Sequence, residues 1–108
     1  MGLFSRTPST DAVGLDERLG SRGVYVLDVR QPGEWRGGHI RGSVNVPLTQ
    51  LKGELEKLPR DRTIVAVCAS GHRSAVAART LRKAGFEVEN LKGGMHGWSR
   101  AGLPVTKR

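Results

Sequence analysis

The chain of 108 residues carries one cysteine, and that residue stands where a thiol is easiest to activate. Cys68 closes the apolar run Thr63-Ile64-Val65-Ala66-Val67-Cys68, which predicts a strand, and the stretch from Ser74 to Ala84 behind it predicts a helix ended by Gly85. Between them lies a tight polar loop, Ala69-Ser70-Gly71-His72-Arg73. Three effects converge on a sulfur in that position. A helix N-terminus offers unpaired N–H groups and about half a positive charge. A turn containing Gly71 can fold its amides inward as an anion nest. Arg73 adds a full charge. Each favours thiolate over thiol and lowers the thiol from its usual value of about 8.5. The competing reading is a cysteine that is only a small buried hydrophobe. The loop argues against it, because a small, polar, glycine-bearing segment suits an anion cradle and makes a poor core.

Other polar residues fall near the same place. Asp28 and Arg30 end the run Val24-Tyr25-Val26-Leu27-Asp28-Val29, a strand expected to lie parallel to that of Cys68, so both should line one crevice beyond the strand ends. A carboxylate beside a thiolate opposes ionisation, which makes Asp28 a loop organiser and not a base. Arg30 is expected to pair with Glu34 or Asp28. Ser74 is read as a helix cap, with a bond from its hydroxyl to the sulfur as the alternative. His72 should point to solvent, and His39 should be a hydrogen-bonded turn residue. Trp35 and Trp98 should pack beneath the site.

The elements that position these residues follow from the apolar pattern. Residues 1–9 read as a loose arm, with at most a short edge strand. A helix is expected from Thr10 to Leu19, capped by Thr10 or Ser9 and ended by Gly20 and Gly23. Gln31-Pro32-Gly33 breaks the first long strand, residues 36–43 read as loop, and Val44-Asn45-Val46 is a short strand stopped by Pro47. Leu48, Leu51, Leu55 and Leu58 recur at helical spacing, with Thr49 as cap and Pro59 as stop. Phe86 to Leu91 is a further strand, and Gly93-Gly94 leads into a short helix holding Met95 and Trp98. Strands alternating with helices predict an α/β domain with a mainly parallel sheet and helices on both faces. The domain is expected over residues 10–105, with 106–108 as a basic tail.

Bulk properties narrow the function. With 37% hydrophobic residues the chain affords one modest core. No run of 18 apolar residues predicts a membrane span, and Met1 to Arg6 match neither a secretory leader nor, because of Arg6, a myristoylation signal. A lone thiol forms no internal disulfide, which points to a reducing compartment, the cytoplasm. The histidines and the cysteine lack metal-ligand spacing, so neither a metal nor another cofactor is expected. The net charge of +8 reads first as an arginine-rich surface and second as attraction for anionic substrates or an acidic protein partner. Nucleic acid is disfavoured, since the few aromatic residues form no stripe with the basic ones.

The pattern Cys-x-x-Gly-x-Arg-Ser between an apolar strand and a helix resembles the active-site loop of rhodanese-homology domains. Asp28-Val29-Arg30, Glu34-Trp35, Gly38-His39-Ile40-Arg41-Gly42-Ser43 with Asn45 and Pro47, and Leu91-Lys92-Gly93-Gly94 with Trp98 agree in order, so that the resemblance spans residues 24–103. It implies a three-layer α/β/α domain with a mainly parallel sheet of four to five strands. It also implies a sulfurtransferase. The Cys68 thiolate would take the outer sulfur of thiosulfate or a low-molecular-weight persulfide and pass it to cyanide or a thiol. Amides of Ala69 through Arg73 would hold the persulfide charge, and Arg73 would bind the anionic donor, or else only shape the loop through a salt bridge. Asp28, Arg30 and Glu34 would support the loop. A second reading is a slow sulfur-relay or sensing module acting on a protein partner. A third, a phosphatase or arsenate reductase, is disfavoured. Cys68 and Arg73 have four residues between them where phosphatase relatives have one more, and the chain holds no second cysteine. Many relatives pair two such domains around the site. The pocket of a single one should then be shallow and exposed, or be completed by another copy or a partner.

Overall fold

The computed structural model describes residues 7–108. The readings that rest on Met1 to Arg6, including the first part of the expected arm, lie outside the described residues. Five strands form one sheet in the order β1-β5-β4-β2-β3: β1 Ser9–Thr10, β2 Val24–Asp28, β3 Val44–Asn45, β4 Thr63–Val67 and β5 Val88–Leu91. Every pairing is parallel, with Val26 beside Val65 and Ala66 beside Asn90 at the centre. The two long runs are continuous in hydrophobicity because both of their faces are covered.

Alternation of side chains divides the core in two. Leu27, Ile64, Ala66 and Cys68 face one side, where they meet Leu51, Ala77, Ala78 and Leu81 from a 3-10 helix, Leu48–Lys57, and from α3, His72–Lys83. Val24, Val26, Val65 and Val67 face the other, against Ala12 and Leu15 of α1, Ala12–Arg18, and Met95 and Trp98 of α4, Gly94–Arg100. The odd–even phase of β4 thus turns Cys68 toward the α3 side, where it lies just past the strand's carboxyl end.

Several boundaries differ from the sequence expectation, each for a local reason. Helix α1 is capped by Asp11, whose carboxylate accepts from the Gly14 amide at 2.8 Å, and not by Ser9 or Thr10. Those two residues are instead spent on β1, paired with Asn90 and Leu91. The break at Gln31-Pro32-Gly33 is the start of an unforeseen helix, α2, Pro32–Arg36, with Glu34 closing a capping box onto the Gln31 amide. The leucine-spaced segment winds as a 3-10 helix entered at Pro47, with Thr49 inside it and no side-chain cap. Strand β5 begins at Val88 because Phe86 folds back, its amide donating to the Leu81 carbonyl. Thr106 forms an antiparallel bridge with His39, so the basic tail is stitched to the body. No helix among the described residues is long and apolar enough to cross a membrane.

The observed cap sets a test. Asp11→Ala should lower unfolding free energy by about 1 kcal/mol in urea titrations, while Ser9→Ala should stay within about 0.5 kcal/mol of the parent. The reverse order would restore the expected cap.

Candidate active site

Helix α3 begins two residues before Ser74, and its N-cap is Gly71 at φ +107°, a conformation suited to glycine. Ser74 is therefore inside the first turn and caps nothing. Its hydroxyl lies 3.3 Å from Cys68 Sγ and donates to Asn90 Oδ1 at 2.5 Å. The bond to sulfur, the less favoured reading of the sequence, is the one the fold builds.

Amides surround the sulfur because the loop's carbonyls have been turned away from it. The Cys68 carbonyl accepts from the Met95 amide at 2.8 Å, and the Ala69 carbonyl from the His96 amide at 2.9 Å. Across a trans peptide the N–H points opposite to the C=O. Binding the Ala69 carbonyl to α4 thus turns the Ser70 N–H to the sulfur. The Gly71 amide follows, at 3.0 Å from Sγ. Gly94 makes this possible. A Cβ there would sit 2.4 Å from the Cys68 carbonyl oxygen and 2.6 Å from that of Ala69.

Burial by itself pushes the Cys68 thiol up. The Ser74 hydroxyl and the backbone amides of Ser74, Gly71 and Ser70 outweigh it, and the thiol lies below its ordinary value. Of the amides expected from Ala69 through Arg73, Ser70 and Gly71 contribute, and that of Ser74 joins them. Cys68 itself has no accessible surface. Of the two expectations for the pocket, shallow and exposed or completed by another copy or a partner, the buried sulfur does not match an open, exposed one. A cleft of about 650 Å³, lined by Arg22, Tyr25, Arg41 and Arg62 among others, opens at the amino ends of β2 and β4, opposite the sulfur.

Arg73 is engaged elsewhere. Its guanidinium grips Glu34 with both nitrogens, at 2.7 and 2.9 Å. The bond to Arg73 leads the effects that hold the Glu34 carboxyl at about 2. A lowered carboxylate keeps its partner throughout the usual carboxylate range and loses it only as pH falls through about 2. The charge of Cys68 acts on Arg73 only after the bond to Glu34, its own desolvation and the Glu34 charge. Amides and a hydroxyl, not the guanidinium, therefore dominate at the sulfur. His72 is exposed, with Nδ1 3.3 Å from Ser70 Oγ.

Asp28 and Arg30 form a separate buried pair, 1% and 7% exposed. Asp28 accepts from the Arg30 backbone amide, Nε and Nη2, at 2.9–3.1 Å. Arg30 Nη2 also donates to the Gly38 carbonyl at 2.8 Å, fixing the turn after α2. Asn45 clamps the same strand end through the carbonyls of Asp28 and Arg30. No hydrogen bond among the described residues joins this pair to the Cys68 loop. Its contribution is to hold α2, and with it Glu34, in place. His39 stacks on Trp35 at 3.6 Å, with its ring nitrogens 2.7 Å and 2.6 Å from the carbonyls of Trp35 and Arg108. Trp98 is buried and donates to the Pro104 carbonyl. Among the described residues, no group of His, Cys, Asp or Glu is arranged to hold a metal ion.

Two residues of the site escaped the sequence reading. Gly94 was legible as a turn and as part of the resemblance, but not as the place where α4 meets the loop carbonyls. Asn90 had no local signal, since one polar residue in a predicted strand has many explanations.

Comparison with known proteins gives this arrangement a context. The family model described as "Rhodanese-like domain" matches residues 11–101. A protein of Allochromatium vinosum named "Sulfurtransferase" is 35% identical over 97 residues, covering 88% of this chain and 91% of that protein. YqhL of Bacillus subtilis, uncharacterized, is 45% identical over 82 residues, and the chain spans 65% of its length. The crystal structure of a rhodanese-related protein from Thermoplasma volcanium superposes with a TM-score of 0.88 at 35% identity, covering 94% of this chain and 99% of that one.

The packing of α4 under the loop makes a sharp contrast testable. Gly94 (φ +56°) and Gly102 (φ +74°) both have left-handed backbones, but nothing lies near the Cβ position of Gly102. Gly102→Ala should cost about 1 kcal/mol, from backbone strain alone. Gly94→Ala should cost at least about 2 kcal/mol more and slow alkylation of Cys68, since it must push the loop carbonyls off α4. Equal losses by urea unfolding would refute the account.

Proposed function

This chain belongs to the rhodanese-like domain family, and from that premise we propose that it is a sulfurtransferase working through a persulfide on Cys68. Family membership and a relative named as a sulfurtransferase support a role in sulfur transfer. The single observation that carries the residue-level reading is the polar cradle around one sulfur: the Gly71 N–H at 3.0 Å, the amides of Ser70 and Ser74, and the Ser74 hydroxyl in contact at 3.3 Å. Such a cradle stabilises an anion at Sγ and, after transfer, the negative outer sulfur of Cys68–S–S⁻.

The steps balance without a cofactor. The Cys68 thiolate attacks the outer sulfur of the donor, forming the Cys68–S bond as the donor's S–S bond breaks. The electron pair leaves with the donor remnant, sulfite from thiosulfate or a thiolate from a persulfide. A nucleophilic acceptor then attacks the outer sulfur of Cys68–S–S⁻, and the Cys68 thiolate is the leaving group. Covalent storage divides one difficult transfer into two easier ones. A low-molecular-weight persulfide is favoured over thiosulfate as the donor, because both forks of Arg73 are already taken by Glu34 and no second cation stands in the loop.

The net charge of +8 keeps a second reading in view, a relay module handing sulfur between proteins, of which one is acidic. Its signature is transfer to protein thiols that weakens steeply with salt while turnover on small molecules stays poor.

The test is mass and product together. Incubation with glutathione persulfide or thiosulfate should add the mass of one sulfur atom to the intact protein. Cyanide should remove it as thiocyanate, and Cys68→Ser should abolish both. The loading rate should rise with pH through a midpoint below the ordinary thiol value, since the thiolate attacks and its pKa is lowered. No added sulfur from either donor would reject the persulfide reading.

A further inference from the structure

We propose that Asn90 is a positioning residue of the Cys68 site, whose side-chain amide decides whether the Ser74 hydroxyl directs its proton to the sulfur. The proposal rests on the reading of Cys68 as the nucleophile.

The argument is a count of protons. Ser74 is wholly buried and its Oγ touches two groups, Asn90 Oδ1 at 2.5 Å and Cys68 Sγ at 3.3 Å. A hydroxyl has one proton to donate, and a carbonyl oxygen can only accept. With the Ser74 proton on Asn90 Oδ1, the hydroxyl oxygen offers the sulfur a lone pair, which suits a thiol donating its S–H. A thiolate has nothing to donate, so the hydroxyl must swing and give its proton to sulfur. Asn90 Oδ1 would then face a bare oxygen at the distance of a short hydrogen bond, lone pair against lone pair. The amide relieves this by turning over, so that Nδ2 donates to Ser74 Oγ. The chain of donors then runs Asn90 Nδ2 to Ser74 Oγ to Cys68 Sγ. Ionisation releases one proton from sulfur to water, and none passes between the residues.

A carboxamide can take both parts. Its oxygen and nitrogen are nearly the same size, so inversion needs no repacking. On the loop side Asn90 Nδ2 faces Gly71, 4.0 Å from where a Cβ would stand, and no side chain there hinders the turn. The backbone beneath is fixed. Asn90 sits in β5 between β1 and β4, its amide donating to the Pro8 carbonyl at 2.9 Å. The amide can therefore invert while its attachment stays still.

A carboxylate at this position accepts only, and would hold the Ser74 proton away from sulfur. The test is the pH profile of Cys68 alkylation by iodoacetamide in the parent, Ser74→Ala, Asn90→Asp and the double variant, with urea titration confirming that each is folded. Asn90→Asp should raise the Cys68 midpoint enough to cut the thiolate fraction at neutral pH about tenfold, which is one pKa unit. In the Ser74→Ala background most of that effect should vanish, leaving only the direct repulsion between the new charge and the sulfur. Should Asn90→Asp fail to fold, Asn90→Leu replaces it, and the shift caused by Ser74→Ala should differ by about threefold or more between the Asn90 and Leu backgrounds. A low parent midpoint with additive effects overturns the role of Asn90 alone. An ordinary parent midpoint overturns the nucleophile reading and this proposal with it.

Discussion

Two backbone hydrogen bonds organise the site: the carbonyls of Cys68 and Ala69 bound by the amides of Met95 and His96. Planarity of the peptide then turns the Ser70 N–H, opposite the bound Ala69 carbonyl, inward. The close approach of α4 that this constraint needs is permitted by the glycine at position 94, while the Ser74 hydroxyl and amide come from the first turn of α3. The apolar sheet serves the same constraint from below. Continuous burial of β4 on both faces sets the strand's exit point, and the parallel register with β2 and β5 places the loop, the Asp28–Arg30 turn and Asn90 at one end. Helix α4 is sequence-distant from Cys68, yet it is the part of the fold that gives the loop its polarity.

Dipoles, not full charges, hold the anion here. The amides of Gly71, Ser70 and Ser74, with the Ser74 hydroxyl beside them, act in a buried place, and their effect exceeds the desolvation that opposes the thiolate. Arg73, the only cation of the loop, is drawn off by Glu34, and an ion pair this exposed contributes about 0–1 kcal/mol to stability. Its role is geometric: it ties α3 to α2. The buried pair Asp28–Arg30 is of a different kind. Desolvated and fully hydrogen-bonded, it tolerates no loss of one partner, for the survivor would be a bare charge in the core. The chain thus spends its buried ion pair on architecture and leaves the reacting centre to neutral donors.

Much of this was legible in the sequence, for reasons that differ residue by residue. The strands β2 and β4 announced themselves because parallel, doubly covered strands need continuous apolar runs. Cys68 and its loop were legible because strand, small polar turn and helix are contiguous in the chain. Local competition hid the boundaries: Asp11 outcompeted its neighbours as cap once Ser9 and Thr10 were drawn into an edge strand, and Glu34 converted an apparent break into α2 by capping it. Ser74 was misread because a serine near a helix start looks like a cap. Its position one turn from the sulfur became evident only when Gly71 was seen to start the helix. Asn90 and Gly94 act across the sheet, and no pattern within a window of sequence carries that information.

The burial of Cys68 bears on how such a site works. A sulfur without accessible surface reacts only when its cover moves, and the restraints on that cover are unequal. On one side the loop is fixed by backbone hydrogen bonds to α4, shielded by Met95 and Trp98, which are costly to open. On the other it is tied by Arg73 to Glu34 at the surface, where water and ions screen the attraction. The weaker of these restraints is the exposed ion pair of Arg73, while the loop carbonyls are held by α4. The contacts that aim the amides at the sulfur are therefore separate from the surface ion pair that ties α3 to α2.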